Sequence, residues 1–356
     1  MNKRRKKNIS IKRLNLRNKK LERLRLKSSA KRKQLNILRN SRKSYVSEQK
    51  DRNRNQNKPK NIRIAAKSKF SLIENPENVL TLVSEIEKVT SNKRTKLIIL
   101  NLKEVETIDI GSISILLSKI NKLKQNNVQV ICNLPQNEEC KKMFFESGFS
   151  DHMRDLQGRI INYSRQNNNL MVNRGFDKTS NEKLGLSIRK SVEHLTGTEE
   201  SYRPLYSIAQ EMCANSIEHA NEHNKNWLFS VWYKDDVNVC FTMTDIGSGI
   251  LGTLKRKFSQ QIRELVLTDN KDILIRAFEK KYSSVTKDIN RNKGLPKIKN
   301  ISDEEYIKNL VVITNNVMLD FSNQSNSKLL NRKFNGTFYY WELNKKCIEV
   351  WKNRNL

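Results

Sequence analysis

Apolar residues fall into two rhythms along this chain. Short unbroken runs, KLIILNL at 96–102 and VQVIC at 128–132, suit buried parallel strands, because a strand covered on both faces has no polar side to show. Between them Ile113, Ile115, Leu116, Leu117, Ile120 and Leu123 recur at near-helical spacing. An earlier helix is predicted over 74–90, from Val79, Leu80, Leu82, Val83 and Ile86. A later one over 135–149 opens with Pro and acids and ends near Gly148. Strand, helix, strand, helix implies a small α/β layer fold over 61–150. Residues 151–186 are polar and Asn-rich and read as a linker. Residues 184–220 read as helical, followed by strand candidates at 227–233, 237–244, 310–315, 317–322 and 337–343. Asp235 and Asp236 fit a turn between the first two of these strands. Residues 346–356 form a short basic tail.

Charge changes this picture at one end only. The chain has 356 residues and a formal net charge of +32, a length that suggests two or three domains of about 100–200 residues. Residues 1–60 carry 24 Lys/Arg against Glu22, Glu48 and Asp51, a net +21. Leucines and isoleucines punctuate this stretch, and Tyr45 is its one aromatic, so it cannot build a core. It reads as a basic arm, disordered or helical, that could neutralise phosphates of a nucleic acid without sequence preference. The remaining 296 residues carry +11, which excludes a uniformly cationic coating protein. No apolar run reaches the roughly 18 residues that span a bilayer, and no apolar h-region follows the basic start. Five scattered cysteines form no CxxC pair, which points to reduced thiols in the cytoplasm.

The candidate chemistry lies in 205–250. On a helix through LYSIAQEMCANSIEHA (205–220), Glu211, Asn215, Glu218 and Glu222 share one face. Ala209, Cys213, Ser216, Ile217 and Ala220 lie opposite, facing a core. A carboxylate and a carboxamide one turn apart suit Mg²⁺ and phosphate. The amide oxygen is a neutral ligand, phosphate oxygens complete the shell, and the Glu can orient a nucleophile. One strand later, TMTDIGSGI (242–250) ends in Asp245, Gly247 and Gly249. The Asp can accept from an amino group such as that of adenine, and the glycines permit close backbone approach. In NKGLPKI (292–298) a Gly precedes a helix start, whose free N–H groups suit phosphate, and Pro296 fits the first turn. Gly336 and Thr337 open the last strand.

These four pieces, in this order, resemble the GHKL ATPase superfamily, whose members adopt the Bergerat fold. It includes gyrase-type ATPase domains, histidine-kinase catalytic domains and anti-sigma-factor serine kinases. Glu211 and Asn215 match its N box, Asp245, Gly247 and Gly249 its G1 box, Gly294 and Leu295 its G2 box, and Thr337 its final Gly-Thr element. Pro296 stands where the family often has Gly. The resemblance covers 187–345. It implies ATP and Mg²⁺ as cofactors, Asn215 as metal ligand, Glu211 as base and Asp245 on the adenine. It also implies a lid over 251–293, with Ser283, Ser284 and Thr286 near phosphates. Glu211 and the His219-Ala220 ending look most like the anti-sigma-factor kinase branch.

Residues 61–150 resemble a STAS domain, the fold of that branch's phosphorylated partners. Asp109 matches the STAS loop aspartate, and Gly111 stands at the position of the phosphorylated serine, with Ser112 and Ser114 as substitutes. The expected architecture is therefore α/β and α+β: a basic arm (1–60), a STAS-like domain (61–150), a linker (151–186), a Bergerat-fold sandwich (187–345) and a tail (346–356). The expected function is a cytosolic, bacterial-type regulatory protein, an ATP- and Mg²⁺-dependent switch with protein serine/threonine kinase or slow ATPase activity. Its partners would be regulatory proteins of STAS or sigma-factor type, with a homodimer also open. The alternative is a non-catalytic nucleotide-sensing module tethered to nucleic acid by residues 1–60.

Two histidine positions suggest chemistry that their surroundings do not support. His219 and His223, four apart, have metal spacing but no third ligand. His194 lacks the surroundings of a phosphoacceptor and reads as an ordinary helix position.

Overall fold

The computed structural model describes residues 18–29, 31–36, 39, 60–91, 95–159, 161, 170–175, 181–219, 227–257, 262, 269–279 and 294–355. The chain divides into two compact units, Met1–Pro59 and Lys60–Leu356. In the first, residues 18–29 and 31–36 are helical, and Leu21, Leu24, Leu26 and Leu35 are exposed.

The second unit is built in four layers. Strands β1 (Lys60–Ala65), β3 (Thr95–Asn101) and β5 (Gln129–Asn133) form a parallel sheet in the order β1-β3-β5. Two short strands, β2 (Lys69–Phe70) and β4 (Thr107–Ile108), pair beside it. Helices α1 (Pro76–Thr90) and α2 (Ile110–Gln125) cover one face of that sheet. Helix α3 (Glu138–Glu146) closes the α/β half. The other sheet is antiparallel, in the order β6-β7-β8-β10-β9. Its strands are β6 (Leu170–Gly175), β7 (Trp227–Tyr233), β8 (Asn238–Asp245), β9 (Lys308–Asp320) and β10 (Lys328–Asn344). Helices α4 (Asn181–Thr196), α5 (Arg203–His219), α6 (Gly249–Lys257), α7 (Asn270–Phe278), α8 (Gly294–Asp303) and α9 (Lys345–Asn355) complete the fold. They pack on the face of the antiparallel sheet away from α1 and α2.

Helices α1 and α2 are thus shared between the two sheets, and the sequence of α2 explains why. A helix that is apolar on every side must be covered on every side. In α2, Ile113, Ile115, Leu116, Leu117 and Ile120 are all buried, together with Gly111, Ser112 and Ser114. The small residues let the helix lie close on β7 and β8, and the Ser114 hydroxyl meets those of Ser230 (3.1 Å) and Thr242 (2.8 Å). A Cβ on Gly111 would come within 2.8 Å of the Phe338 ring. One apolar core therefore runs from Ile64, Ile98 and Val130 through α1 and α2 to Leu228, Ile313 and Phe338. The stretches expected as a STAS-like domain and as an ATP-binding domain lie in one compact unit.

A single charged pair enters this seam among the described residues. Lys119, 3% exposed, bonds Glu87 and lies 5.6 Å over the Phe334 ring. Burial pushes its ammonium down, and Glu87 opposes that shift. Glu87 also accepts from Asn335 Nδ2 at 2.9 Å, which ties α1 to the β10 segment before Thr337.

Several predicted elements recur with changed bounds. Trp227–Tyr233 is a strand as expected. The stretches 310–315 and 317–322 are one strand, because Asn315 takes a left-handed φ of 53° and bends the chain without ending its pairing. The 184–220 stretch is two helices, broken between Thr196 and Arg203, where Gly197 has φ 79°. The stretch read as a linker holds β6 and the start of α4. The stretch read as a tail is α9, which buries Cys347 and Ile348. The buried Tyr202 hydroxyl donates to Cys347 O at 3.2 Å and to Tyr306 O at 2.8 Å.

Candidate functional site

Helix α5 positions the first two side chains. Ile208, Ala209, Met212, Cys213 and Ser216 are buried and fix the helix against the sheet. Glu211 and Asn215 are left on the partly exposed side, as the helical periodicity requires. Helix α8 arrives against that side. A Cβ on Gly294, its first residue, would lie 3.0 Å from Glu211 Oε2 and 3.3 Å from Asn215 Nδ2. Any side chain at 294 would press on these polar groups, so Glu211, Asn215 and Gly294 are brought together at close range.

Lys297 completes this cluster, and the sequence reading did not single it out. Its Nζ donates to Glu211 Oε1 at 3.1 Å, across 86 residues of chain. The signal available beforehand was only its position in the turn that follows Gly294.

A second cluster gathers at the end of β8. Asp245 pairs with Thr337 of β10 on one side and with Trp227 of β7 on the other. The Thr337 backbone N–H donates to Asp245 Oδ1 at 2.5 Å. Asp245 keeps part of its surface open, yet burial pushes its carboxyl up to about 6 against the lowering effect of the Thr337 hydrogen bonds. Gly247 lies beside it, where a Cβ would be 3.6 Å from Oδ2. Gly336 has φ 152° and runs so close to the Asp245 carbonyl that no side chain fits.

Gly249, with φ 70°, opens α6 and is held by residues that the sequence reading missed. Thr314 Oγ1 accepts from Ile250 N at 2.9 Å and donates to Gly336 O at 3.0 Å. Asn315 accepts from Leu251 N at 3.1 Å and donates to Ser248 O at 3.0 Å. Thr314 and Asn315 therefore join the G1-like turn to the Gly336–Thr337 element. Their only advance trace is the polar TNN interruption of an apolar strand.

Leu295 is half-buried and packs on the core, so its side chain serves as an anchor for the α8 turn. Ser283, Ser284 and Thr286 lie outside the described residues, as does His223. His194 Nε2 lies 2.9 Å from the Asp235 carbonyl, and its ring is 4.9 Å from that of Tyr233.

The STAS-like positions have structural partners. Asp109 caps α2, accepting from Ser112 N (2.7 Å), Ser112 Oγ (2.7 Å), Ser71 Oγ (2.7 Å) and Ile73 N (2.9 Å). Ser112 and Ser114 are 0% and 1% exposed.

Among the described residues no group of three His, Cys, Asp or Glu side chains is gathered around a common point. The donor set at α5 is one amide oxygen and one carboxylate. Such a set suits a hard cation that takes its other ligands from phosphate and water. No helix of the described residues is long and apolar enough to cross a membrane. Comparison with family models, curated proteins and solved structures returns no match for this chain.

Proposed function

We propose that the face of α5 bearing Glu211 and Asn215, with the start of α8, binds the phosphates of ATP, and that the Asp245–Thr337 cluster receives the adenine. The observation that carries this reading is the meeting of Glu211 and Asn215, from one motif, with Gly294, from a second motif about 80 residues later. Asn215 would supply the protein oxygen to Mg²⁺, which when bound neutralises phosphate charge. The backbone N–H groups of Gly294, Leu295 and Lys297 at the start of α8 would receive phosphate oxygens. Glu211 would hold the hydrogen of an attacking hydroxyl or water. An ionised Asp245 would accept from the adenine amino group.

The chain would then act as an ATP-dependent switch, through transfer to Ser/Thr of a partner or through slow hydrolysis. The buried hydroxyls of Ser112 and Ser114 favour an acceptor outside the STAS-like half. One observation favours the non-catalytic alternative: Glu211 Oε1 is already engaged by Lys297. Incubation with γ-labelled ATP separates the two. Release or transfer of label that Glu211→Ala lowers about 100-fold or more supports a catalytic base. Intact ATP after long incubation, with binding kept in both proteins, supports the sensing module.

A further inference from the structure

Lys297 sits beside Glu211 and Asn215, on the face read above as a phosphate site. It lies in the first turn of α8, three residues after Gly294, the residue whose backbone abuts Glu211 and Asn215. Its backbone is held on both sides: Leu295 packs on the core, and Ile298 is fully buried. Pro296 fixes φ between them. The ammonium therefore has a restricted reach, and within it Glu211 Oε1 is 3.1 Å away.

That contact is a poor resting place for a cation. The two side chains are 41% and 33% exposed, and an ion pair open to solvent is worth little. A terminal phosphate carries more charge than one carboxylate, offers several acceptor oxygens and forms stronger charge-assisted bonds. The start of α8 adds its own positive end to the attraction.

We infer that Lys297 reads the terminal phosphate, exchanging Glu211 for it when a nucleoside triphosphate binds and keeping Glu211 when a diphosphate binds. The exchange frees the Glu211 carboxylate to accept a hydroxyl hydrogen. Triphosphate recognition and release of Glu211 are thus one movement of one side chain. This inference rests on the reading of the α5–α8 face as a phosphate site.

The test is a pair of binding titrations on the full chain with Mg²⁺, one with the non-hydrolysable β,γ-imido analogue of ATP and one with ADP. Wild type should prefer the triphosphate analogue. Lys297→Met should weaken that analogue about 10- to 100-fold, the worth of a charge-assisted contact, and shift ADP by less than about threefold. Lys297→Arg should recover most of the loss, since charge and reach are kept. Glu211→Gln, which removes the competing carboxylate, should tighten the analogue a few-fold.

Equal weakening of both nucleotides by Lys297→Met, or no change in either, overturns the inference. If Asn215→Ala still abolishes binding in that case, the site reading stands without it. Failure of wild type to bind either nucleotide removes both.

Discussion

The two faces of the antiparallel sheet are both covered by helices, and they are covered in opposite ways. On the face toward α1 and α2 the contact is closed. Gly111 touches Phe338, Ser114 satisfies two sheet hydroxyls, and the charged intruder Lys119 is met by Glu87. On the face toward α5 and α8, Gly294 comes close to Glu211 and Asn215, Gly247 lies beside Asp245, and these polar side chains stay partly exposed. Absence of a side chain serves apolar packing on the first face and brings backbone against polar, partly exposed side chains on the second. Ser112 and Ser114 are buried in hydrogen bonds that hold α2 in place.

The contrast can be broken by swapping effects between the faces. Gly294→Val should cut ATP affinity about 100-fold or more, because its branched side chain would press on Glu211 and Asn215. Its melting temperature should move little, since no core contact is lost. Binding curves and thermal melts on the same samples check this. Gly111→Val should do the reverse. Overpacking against Phe338 should cost about 2–3 kcal/mol, read in urea unfolding, while the folded fraction binds ATP normally. A change of affinity without a change of stability at Gly111 would show that the closed face also serves the ligand.

Asp245 sharpens the comparison through pH. Its folded value of about 6 lies above the ordinary carboxylate value of about 4, so the folded state holds the proton more tightly. The stability this group contributes is present at low pH and falls as pH rises from about 4 to about 6. An amino donor needs the ionised form, so adenine-nucleotide affinity should rise about tenfold from pH 5 to pH 7. In Asp245→Asn that rise should vanish, which separates it from titration of the nucleotide. The smallest effect belongs to Ser114→Ala, which should cost about 1 kcal/mol of stability and leave ATP affinity unchanged. Mass spectrometry after incubation with ATP should find Ser112 and Ser114 unmodified.

Local periodicity carried much of this arrangement. The buried side of α5 follows from spacing at 3.6 residues per turn, and β7 from a seven-residue run that is apolar or aromatic except at Ser230. Glu211, Asn215 and Gly294 stand out in the sequence through helix-face spacing and the resemblance to GHKL motifs, and the structure brings the three together. What stayed hidden depends on partners distant in sequence. The apolar circumference of α2 shows that the helix is covered, and not that a second sheet covers it. Asn315 reads as a strand break until its φ and its bonds to Ser248 and Leu251 are seen. Lys297 looks like one of many surface lysines until Glu211 appears beside it.

The central claim is that α5 and α8 together form a triphosphate site, and calorimetric titration of ATP with Mg²⁺ into wild type and Asn215→Ala tests it most directly. The account predicts saturable, Mg²⁺-dependent binding to wild type and a loss of about 100-fold or more in the variant, with both proteins folded. Absence of binding to folded wild type, or equal binding to the two proteins, would contradict it.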